Sequence, residues 1–321
     1  MDAALERCDR SRRRSTRRLV VGLGTLALAI VMTGAASTAL AKTTPPDRAP
    51  RPTGAAEPGT DEWYSVPLPS GRVAALGVYR PVKSSGRSVL VLHGRDGPRR
   101  LYEDLSSRFA AEGFTAVAAC WFSYSVQEHD DAYGCPGIGE FHGAEATTVA
   151  DVTAIVDAAE RIPGVDGDRL GIIGQSYGAR MALLRAAATG RTEPVVSSCG
   201  YLAAQPLTVE AEQPVYPFPA DPDVAAGIVA PVLIVHGDAD PIIPVGQAVA
   251  FAAAMDAAGH PAQLITYGSP AGHSIPWDIV TSLDDPGRLL RDRLLDDAVT
   301  FLRKHLEPIR SHEAKERAEA T

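Results

Sequence analysis

The segment Gly174-Gln-Ser-Tyr-Gly178 places a serine between two glycines. The apolar segment Leu170–Ile173 precedes it and the helix-compatible segment Tyr177–Ala188 follows it, so the sequence predicts a strand, a sharp turn and a helix. The turn holds its serine in a strained conformation, and the glycines let strand and helix approach closely. This context is typical of a nucleophile elbow. Ser176 is the candidate nucleophile, and an ordinary turn serine is the alternative.

A serine hydroxyl is a poor nucleophile near neutral pH, so it needs a base and an acid that orients the base. Asp240 lies in a turn after the apolar segment Val232–Val235. His273 lies in a Gly-rich loop after the segment Ala262–Tyr267. Because the carboxyl ends of parallel strands meet at one edge of a sheet, we expect Ser176, Asp240 and His273 to converge there.

Two neighbours of Asp240 have competing interpretations. Asp238 lies in the same turn, where either aspartate could simply hydrogen-bond to the turn backbone. The spacing Gly-x-x-Asp-x-x-Ile-Pro favours Asp240 as the acid. His236 ends the preceding strand, and we expect it to be a packing residue.

A second loop with candidate functional residues follows the early strand Ser88–Leu92. His93 and Gly94 open this loop, and in hydrolases with the chain order Ser, Asp, His this position builds the oxyanion hole. The backbone N–H groups of Arg95 and Tyr177 are therefore the predicted oxyanion donors, with His93 and Gly94 forming the loop. His93 is not expected to be the base.

Apolar segments alternate with helical patterns over residues 63–308. Continuous rather than alternating apolar residues indicate strands buried on both faces, which is typical of a parallel sheet covered by helices. We therefore predict an α/β fold, a doubly wound and mostly parallel sheet with helices on both faces. The Pro-rich segment Tyr201–Ile228 is expected to be irregular and to overhang the ligand crevice.

The N-terminal part differs from the body. Arg10–Arg18 contains six arginines and no acid, and an apolar or small-residue stretch with the exit Ala39-Leu-Ala41 follows it. This order is typical of an export signal, and Arg17-Arg18 is similar to a twin-arginine signal. An uncleaved anchor is the alternative, since the stretch is long enough to span a bilayer. The predicted organisation is a signal or anchor at 1–41, a flexible linker at 42–62, a catalytic domain at 63–308 and a frayed tail at 309–321.

Charge and cysteines narrow the partners and the compartment. The net charge of −8 leaves an acidic body with no electrostatic footprint for nucleic acid, and membrane contact is expected only through the N-terminal segment. Cys120 and Cys135 could form a local disulfide in an oxidising compartment, and Cys199 is expected to be a small buried hydrophobe. No Cys-x-x-Cys or His/Cys cluster suggests a metal site.

Four segments resemble the dienelactone hydrolase branch of the α/β-hydrolases over most of the predicted domain. They are Val91-Leu-His-Gly, Gly-Gln-Ser176-Tyr-Gly-Ala-Arg, His-Gly-Asp-Ala-Asp240-Pro-Ile-Ile-Pro and Ala-Gly-His273. The resemblance implies a Ser or Cys nucleophile, then Asp and His in that order, and no cofactor. Typical members carry cysteine where this chain has Ser176, and glutamate in the loop where it has Arg95-Asp96. These departures favour an esterase-like relative.

The predicted function is an exported serine hydrolase that cleaves small-molecule carboxylic esters or lactones through an acyl-enzyme. Two alternatives stay open. A non-catalytic cell-envelope binding protein could use the same fold, because fold alone does not establish activity. A small serine exopeptidase is the other, since Gly-x-Ser-Tyr-Gly also resembles prolyl-oligopeptidase elbows.

Overall fold

In the described part of the chain, nine strands form one sheet. The computed structural model describes residues 42–43, 62–95, 97, 100–121, 145–202, 220–269, 271–273 and 286–307. The strands are β1 (Lys42–Thr43), β2 (Trp63–Pro67), β3 (Val73–Tyr79), β4 (Arg87–Leu92), β5 (Phe114–Cys120), β6 (Leu170–Gln175), β7 (Val195–Ser198), β8 (Val232–Gly237) and β9 (Gln263–Tyr267). The helices are α1 (Arg100–Ala111), α2 (Glu145–Glu160), α3 (Tyr177–Thr189), α4 (Pro222–Gly227), α5 (Gly246–Ala257) and α6 (Pro286–His305).

The order of the strands puts the candidate residues at one position in the sheet. The order is β1-β2-β3-β5-β4-β6-β7-β8-β9, antiparallel from β1 to β5 and parallel from β5 to β9. After β4 the chain adds β5 on one side, and then crosses to add β6 on the other. Ligands of such sheets bind where the direction of winding reverses, at the carboxyl ends of the strands. That position lies between β4 and β6, whose following loops hold His93 and Ser176.

The central strands of the sheet are buried on both faces. Alternate residues of β4 belong to different apolar clusters, with Leu90 and Leu92 in one and Val89 and Val91 in the other. Helices α2, α3, α4 and α5 contribute buried side chains to the first cluster, and α1 and α6 contribute to the second. Strands that are covered on both sides explain the continuous apolar segments in the sequence. The predicted fold class is confirmed.

Two elements differ from the sequence-based expectation. Helix α4 lies within Tyr201–Ile228, which was expected to be irregular throughout; residues 203–219 of that stretch lie outside the described residues. Asp221 caps α4 by accepting hydrogen bonds from the backbone N–H groups of Asp223 and Val224, and Pro222 occupies its first turn. An N-cap aspartate followed by proline starts a helix even where the composition is otherwise poor.

The second difference concerns the linker predicted for residues 42–62. Lys42–Thr43 pairs antiparallel with β2 at the edge of the sheet. The predicted signal or anchor, residues 44–61 of the linker and the tail at 309–321 lie outside the described residues. None of the described helices combines the length and apolar character needed to cross a bilayer.

Candidate active site

Ser176 sits in a strained turn between β6 and α3. Its backbone has φ 50° and ψ −113°, and its N–H donates to the carbonyl of Ser198 at 2.8 Å. A Cβ on Gly174 would lie 2.5 Å from the backbone nitrogen of Ala179, and one on Gly178 would lie 2.5 Å from the carbonyl oxygens of Leu92 and His93. Both glycines are therefore required for the close contact between strand and helix.

The side chains of Ser176, His273 and Asp240 form a hydrogen-bonded chain in that order. The Nε2 atom of His273 is 2.9 Å from Ser176 Oγ, and its Nδ1 atom is 2.7 Å from Asp240 Oδ2. The turn after β8 and the loop after β9 bring the acid and the imidazole to the elbow. A serine–imidazole–carboxylate chain of this kind can transfer a proton away from the serine hydroxyl.

Asp240 is the better placed of the two aspartates in its turn. Its side chain is fully buried, whereas Asp238 is exposed. The Oδ1 atom of Asp240 accepts hydrogen bonds from the backbone N–H groups of Ile242 and Ile243, each at 2.8 Å. Burial alone would raise the pKa of this carboxyl, but hydrogen bonds from His236, His273 and the backbone lower it below its usual range. Asp240 is therefore ionised at neutral pH.

His236 contacts the acid, although its position suggested simple packing. Its Nε2 atom lies 2.7 Å from the carbonyl oxygen of Ile243 and 3.1 Å from Asp240 Oδ2. The two residues are four apart, at the end of β8 and in the following turn. The sequence signal was the spacing His-x-x-x-Asp, but that spacing has no fixed meaning across a strand end and a turn.

The loop after β4 is anchored by a neutral histidine. His93 is 1% exposed, and burial lowers its pKa to about 3. Its Nδ1 atom lies 2.9 Å from the carbonyl oxygen of Gly94, and its Nε2 atom accepts from the N–H of Trp121 at 3.3 Å. Because Nε2 accepts, the proton of the neutral ring belongs on Nδ1. His93 therefore joins the loop after β4 to the end of β5 as a neutral side chain.

A hydrogen-bonded chain links this loop to the His273 loop. The N–H of Gly94 donates to the hydroxyl of Tyr102 in α1 at 2.9 Å, and that hydroxyl donates to Gln175 Oε1 at 3.1 Å. The Nε2 atom of Gln175 lies 3.4 Å from the carbonyl oxygen of His273. Sequence analysis did not identify Tyr102 or Gln175, because neither is a nucleophile, acid or base. Both act by positioning backbone.

The two predicted oxyanion donors lie on either side of the β4–β6 junction. Arg95 follows Gly94 in the loop after β4 and is half-buried. Tyr177 is the first residue of α3, so its backbone lies at the positive end of the helix dipole. Its ring is buried and stacks on Trp121 with centroids 6.0 Å apart, and burial raises the pKa of its hydroxyl to about 12. Asp96 lies outside the described residues.

Cys199 lies beside the acid rather than in a disulfide. It is fully buried, has the unusual backbone angle φ 47°, and its thiol lies 3.9 Å from the carbonyl oxygen of Gly272. Burial raises the pKa of this thiol to about 12, which keeps it protonated. Among the described residues, the thiol of Cys199, the imidazole of His236 and the carboxylate of Asp240 form a group of possible metal ligands within 4.8 Å. The imidazole and the carboxylate of this group already contact each other.

Only one cysteine of the predicted Cys120–Cys135 disulfide lies among the described residues. Cys120 ends β5 and is 4% exposed, next to the buried Trp63 and Ala75. Cys135 lies outside the described residues, so the pairing stays a prediction.

Comparison with known proteins identifies the family of the chain. The model of the dienelactone hydrolase family matches residues 75–277, a range that includes Ser176, Asp240 and His273. The chain belongs to the dienelactone hydrolase family. It is accordingly a serine ester hydrolase of the dienelactone hydrolase type.

Relatives of the chain are distant. Proteins named "Putative carboxymethylenebutenolidase" from Methylorubrum extorquens and Yersinia pestis are 28% and 29% identical, over 66% and 59% of this chain and 71% and 68% of their own lengths. A crystal structure of a dienelactone hydrolase-like promiscuous phosphotriesterase from metagenomic libraries has a TM-score of 0.53 at 20% identity. It covers 75% of this chain and 97% of that one, and at this identity it shows the shared fold.

Proposed function

We propose that this dienelactone hydrolase family member is an exported serine hydrolase that cleaves small carboxylic esters or lactones through an acyl-enzyme on Ser176. The observation that carries the proposal is the pair of contacts made by His273, 2.9 Å to Ser176 Oγ and 2.7 Å to Asp240 Oδ2. Nucleophile, base and acid are thus aligned in the order that acyl transfer requires.

The proposed reaction has two halves. Ser176 Oγ attacks the acyl carbonyl while His273 Nε2 takes the hydroxyl proton, and Asp240 stabilises the imidazolium. The tetrahedral intermediate collapses, the C–O bond to the alcohol breaks, and His273 returns the proton to the leaving oxygen. Water then attacks the acyl-enzyme by the same route in reverse, which releases the acid and restores Ser176.

The oxyanion of both intermediates is proposed to bind the backbone N–H groups of Arg95 and Tyr177. The N–H of the preceding Gly94 points to Tyr102 instead, so Arg95 is the next donor in that loop. Tyr177 adds the positive end of α3. Loss of one such donor typically costs about 3 kcal/mol of transition-state stabilisation.

The family and Ser176 support the proposed substrate class. The names of the two relatives describe hydrolysis of an unsaturated lactone, which is an internal ester. A serine nucleophile performs the same acyl transfer on open-chain esters. We therefore propose activity on both, with open-chain esters of small acids as the better substrates. No step of this reaction needs a cofactor.

Export is proposed from the Arg-rich start and apolar stretch of residues 1–41. A Cys120–Cys135 disulfide is proposed as well, because an exported protein reaches an oxidising compartment, where disulfides persist. Separation of cytoplasm, membrane and medium from cells that express the full chain tests export. Thiol alkylation before and after reduction tests the bridge. Protein retained in the cytoplasm, or a Cys135 thiol that is alkylated without reduction, contradicts these two points.

The experiment for the activity compares the parent with Ser176→Ala on a panel of p-nitrophenyl esters of increasing acyl length and on unsaturated lactones. The parent should turn over short esters, and the variant should lose activity by about 10⁴-fold or more. Equal and near-zero rates of both proteins across the panel would instead favour a binding protein on the same fold.

A further inference from the structure

We propose that His236 is a positioning residue for the reaction proposed above, a second imidazole that fixes the carboxylate of Asp240 for His273. This role rests on the proposed function, since it concerns how efficiently His273 accepts a proton. It goes beyond the three residues that transfer the proton. It also replaces the packing role that the position of His236 at a strand end suggests.

Two backbone hydrogen bonds and two imidazole contacts define the orientation of the carboxylate. Oδ1 accepts from the backbone N–H groups of Ile242 and Ile243, each at 2.8 Å. Oδ2 lies 2.7 Å from Nδ1 of His273 and 3.1 Å from Nε2 of His236. One oxygen is thus held by the turn backbone and the other lies between two imidazoles. Rotation of the carboxylate about its Cβ–Cγ bond would break contacts at both ends.

The backbone around His236 identifies its tautomer. Its Nε2 atom also lies 2.7 Å from the carbonyl oxygen of Ile243, which can only accept. The proton therefore belongs on Nε2, shared between that carbonyl and Asp240 Oδ2. The Nδ1 atom is buried and has no hydrogen-bond partner among the described residues. Because a buried N–H without an acceptor is costly, this nitrogen is better assigned as unprotonated. His236 is a neutral donor to Asp240.

The groups packed around His236 support a neutral donor. The Cys199 thiol reaches it from the end of β7 and stays protonated, because burial raises its pKa to about 12. Asp240 is the charged group that faces it from the turn, and His273 approaches the same carboxylate from the loop after β9. A histidine that served only to pack would not need its polar atom close to the buried carboxylate of Asp240.

This arrangement has two separable consequences for the reaction. The donor holds Oδ2 where His273 needs it, which affects kcat because the imidazolium forms only during turnover. The donor also stabilises the negative charge of Asp240, which His273 would otherwise have to balance without the second imidazole. Without it, the carboxylate would attract the protonated form of His273 more strongly. The base would then stay protonated to higher pH.

The test uses two substitutions of the full-length protein. His236→Phe keeps a ring but removes the donor, while His236→Gln can place an amide N–H close to the position of Nε2. His260→Gln, which changes a half-buried histidine outside the site, is the matched control. For each protein the measurements are kcat and KM on a p-nitrophenyl ester, the pH profile of kcat/KM, the thermal midpoint and the labelling rate of Ser176 by an organophosphonate.

His236→Phe is expected to lower kcat and the labelling rate by about 10- to 100-fold, with KM within about twofold of the parent. The ascending limb of its pH profile should move up by about half a pH unit or more. His236→Gln should restore most of kcat and the parental limb, and His260→Gln should match the parent throughout.

The inference is overturned if His236→Phe keeps the parental kcat and labelling rate. It is also overturned if both variants at position 236 lose activity and thermal midpoint together while the pH profile stays in place, since that is the behaviour of a packing residue. A parent that neither turns over esters nor reacts with the organophosphonate overturns the proposed function instead, whatever the variants do.

Discussion

The Asp240 carboxylate is buried and yet ionised, because its contacts outweigh the cost of burial. The pKa of this group is lower in the folded chain than its ordinary value of 3.8. Its charge therefore contributes to stability above that value, and the contribution is lost as the pH falls through the lower folded value. Through the neutral range Asp240 remains available to stabilise a protonated His273.

Exchange of this charge for an amide gives the sharpest prediction at the residue scale. Asp240→Asn should lower kcat by about 10⁴-fold with a small change in KM, because asparagine neither stabilises the imidazolium nor enforces its tautomer. The matched control is Asp238→Asn in the same turn, which should keep kcat within about twofold since Asp238 is exposed. Steady-state kinetics on one ester measures kcat for both variants. An Asp240→Asn variant whose kcat lies within about tenfold of the parent would exclude Asp240 as the orienting acid.

Residues that carry recognisable chemistry could be predicted from the sequence, and residues that act through contacts could not. Ser176, Asp240 and His273 each follow an apolar strand, so topology alone brings them to one edge. The role of His236 depends on how the turn at 240–243 folds back onto the strand. Neither its type nor its spacing encodes that path.

At the level of elements, the junction between β6, α3 and β4 depends on Gly178. A Cβ there would lie 2.5 Å from two carbonyl oxygens at the end of β4, and backbone cannot move aside as a flexible side chain can. The same oxygens belong to Leu92 and His93, at the start of the proposed oxyanion loop. Any displacement would therefore shift the proposed nucleophile and the proposed oxyanion loop together.

Gly178→Ala is expected to lower the free energy of unfolding by about 2 kcal/mol or more. Activity should be lost as well. Gly246→Ala is the control: a Cβ there meets nothing within 4 Å, and alanine in a helix is neutral or stabilising. Urea unfolding of both variants gives the comparison. Equal stability of the two would show that the junction can relax.

Tyr102 connects elements that the sequence leaves far apart. Its hydroxyl contacts Gly94 in the loop after β4 and Gln175 at the end of β6. Tyr102→Phe should lower kcat by about tenfold, because the buried N–H of Gly94 loses this acceptor and the loop shifts. Tyr267→Phe is the matched control, since its hydroxyl contacts Asp297 of α6 at 2.6 Å and should not affect kcat. Equal kcat values in both variants and the parent would contradict a positioning role for Tyr102.

The sequence predicted the regular elements well where burial decides them. Strands β4, β6 and β8 were recognised because continuous apolar segments have few other stable arrangements in an α/β fold. Helix α4 was missed because six residues give no periodicity, although Asp221-Pro222 carries a start signal. The pairing of Lys42–Thr43 was missed because a two-residue edge strand depends on its partner β2, and its own residues do not specify it.

On the scale of the whole molecule, α3 is tied to the edge opposite the active site by a buried ion pair. Arg185 is 1% exposed and lies 3.2 Å from Glu193, which precedes β7 and also contacts Arg191 at 2.5 Å. Burial would raise the pKa of Glu193, but Arg185 and Arg191 lower it below its ordinary value. The same helix carries the elbow at its other end, so this pair fixes its position against the sheet.

Glu193→Gln should lower the free energy of unfolding by about 3 kcal/mol at neutral pH, because it leaves the buried charge of Arg185 without its carboxylate. The difference from the parent should narrow as the pH falls from 4.5, the ordinary pKa of glutamate, through the lower folded pKa, where the parent also loses this charge. Glu112→Gln, in an exposed pair with Arg303, should cost about 1 kcal/mol or less. Urea denaturation across pH measures both, and equal losses would contradict a structural role for the buried pair.

The most direct test of the central claim is the identification of the reactive residue. A fluorophosphonate should label the parent once, on Ser176, as seen by mass spectrometry of the digested protein, because His273 activates only that hydroxyl. Ser176→Ala should remain unlabelled, and His273→Gln should react at least about 100-fold more slowly. Absence of an adduct on the folded parent, or an adduct on another residue, would contradict the assignment of Ser176 as the nucleophile.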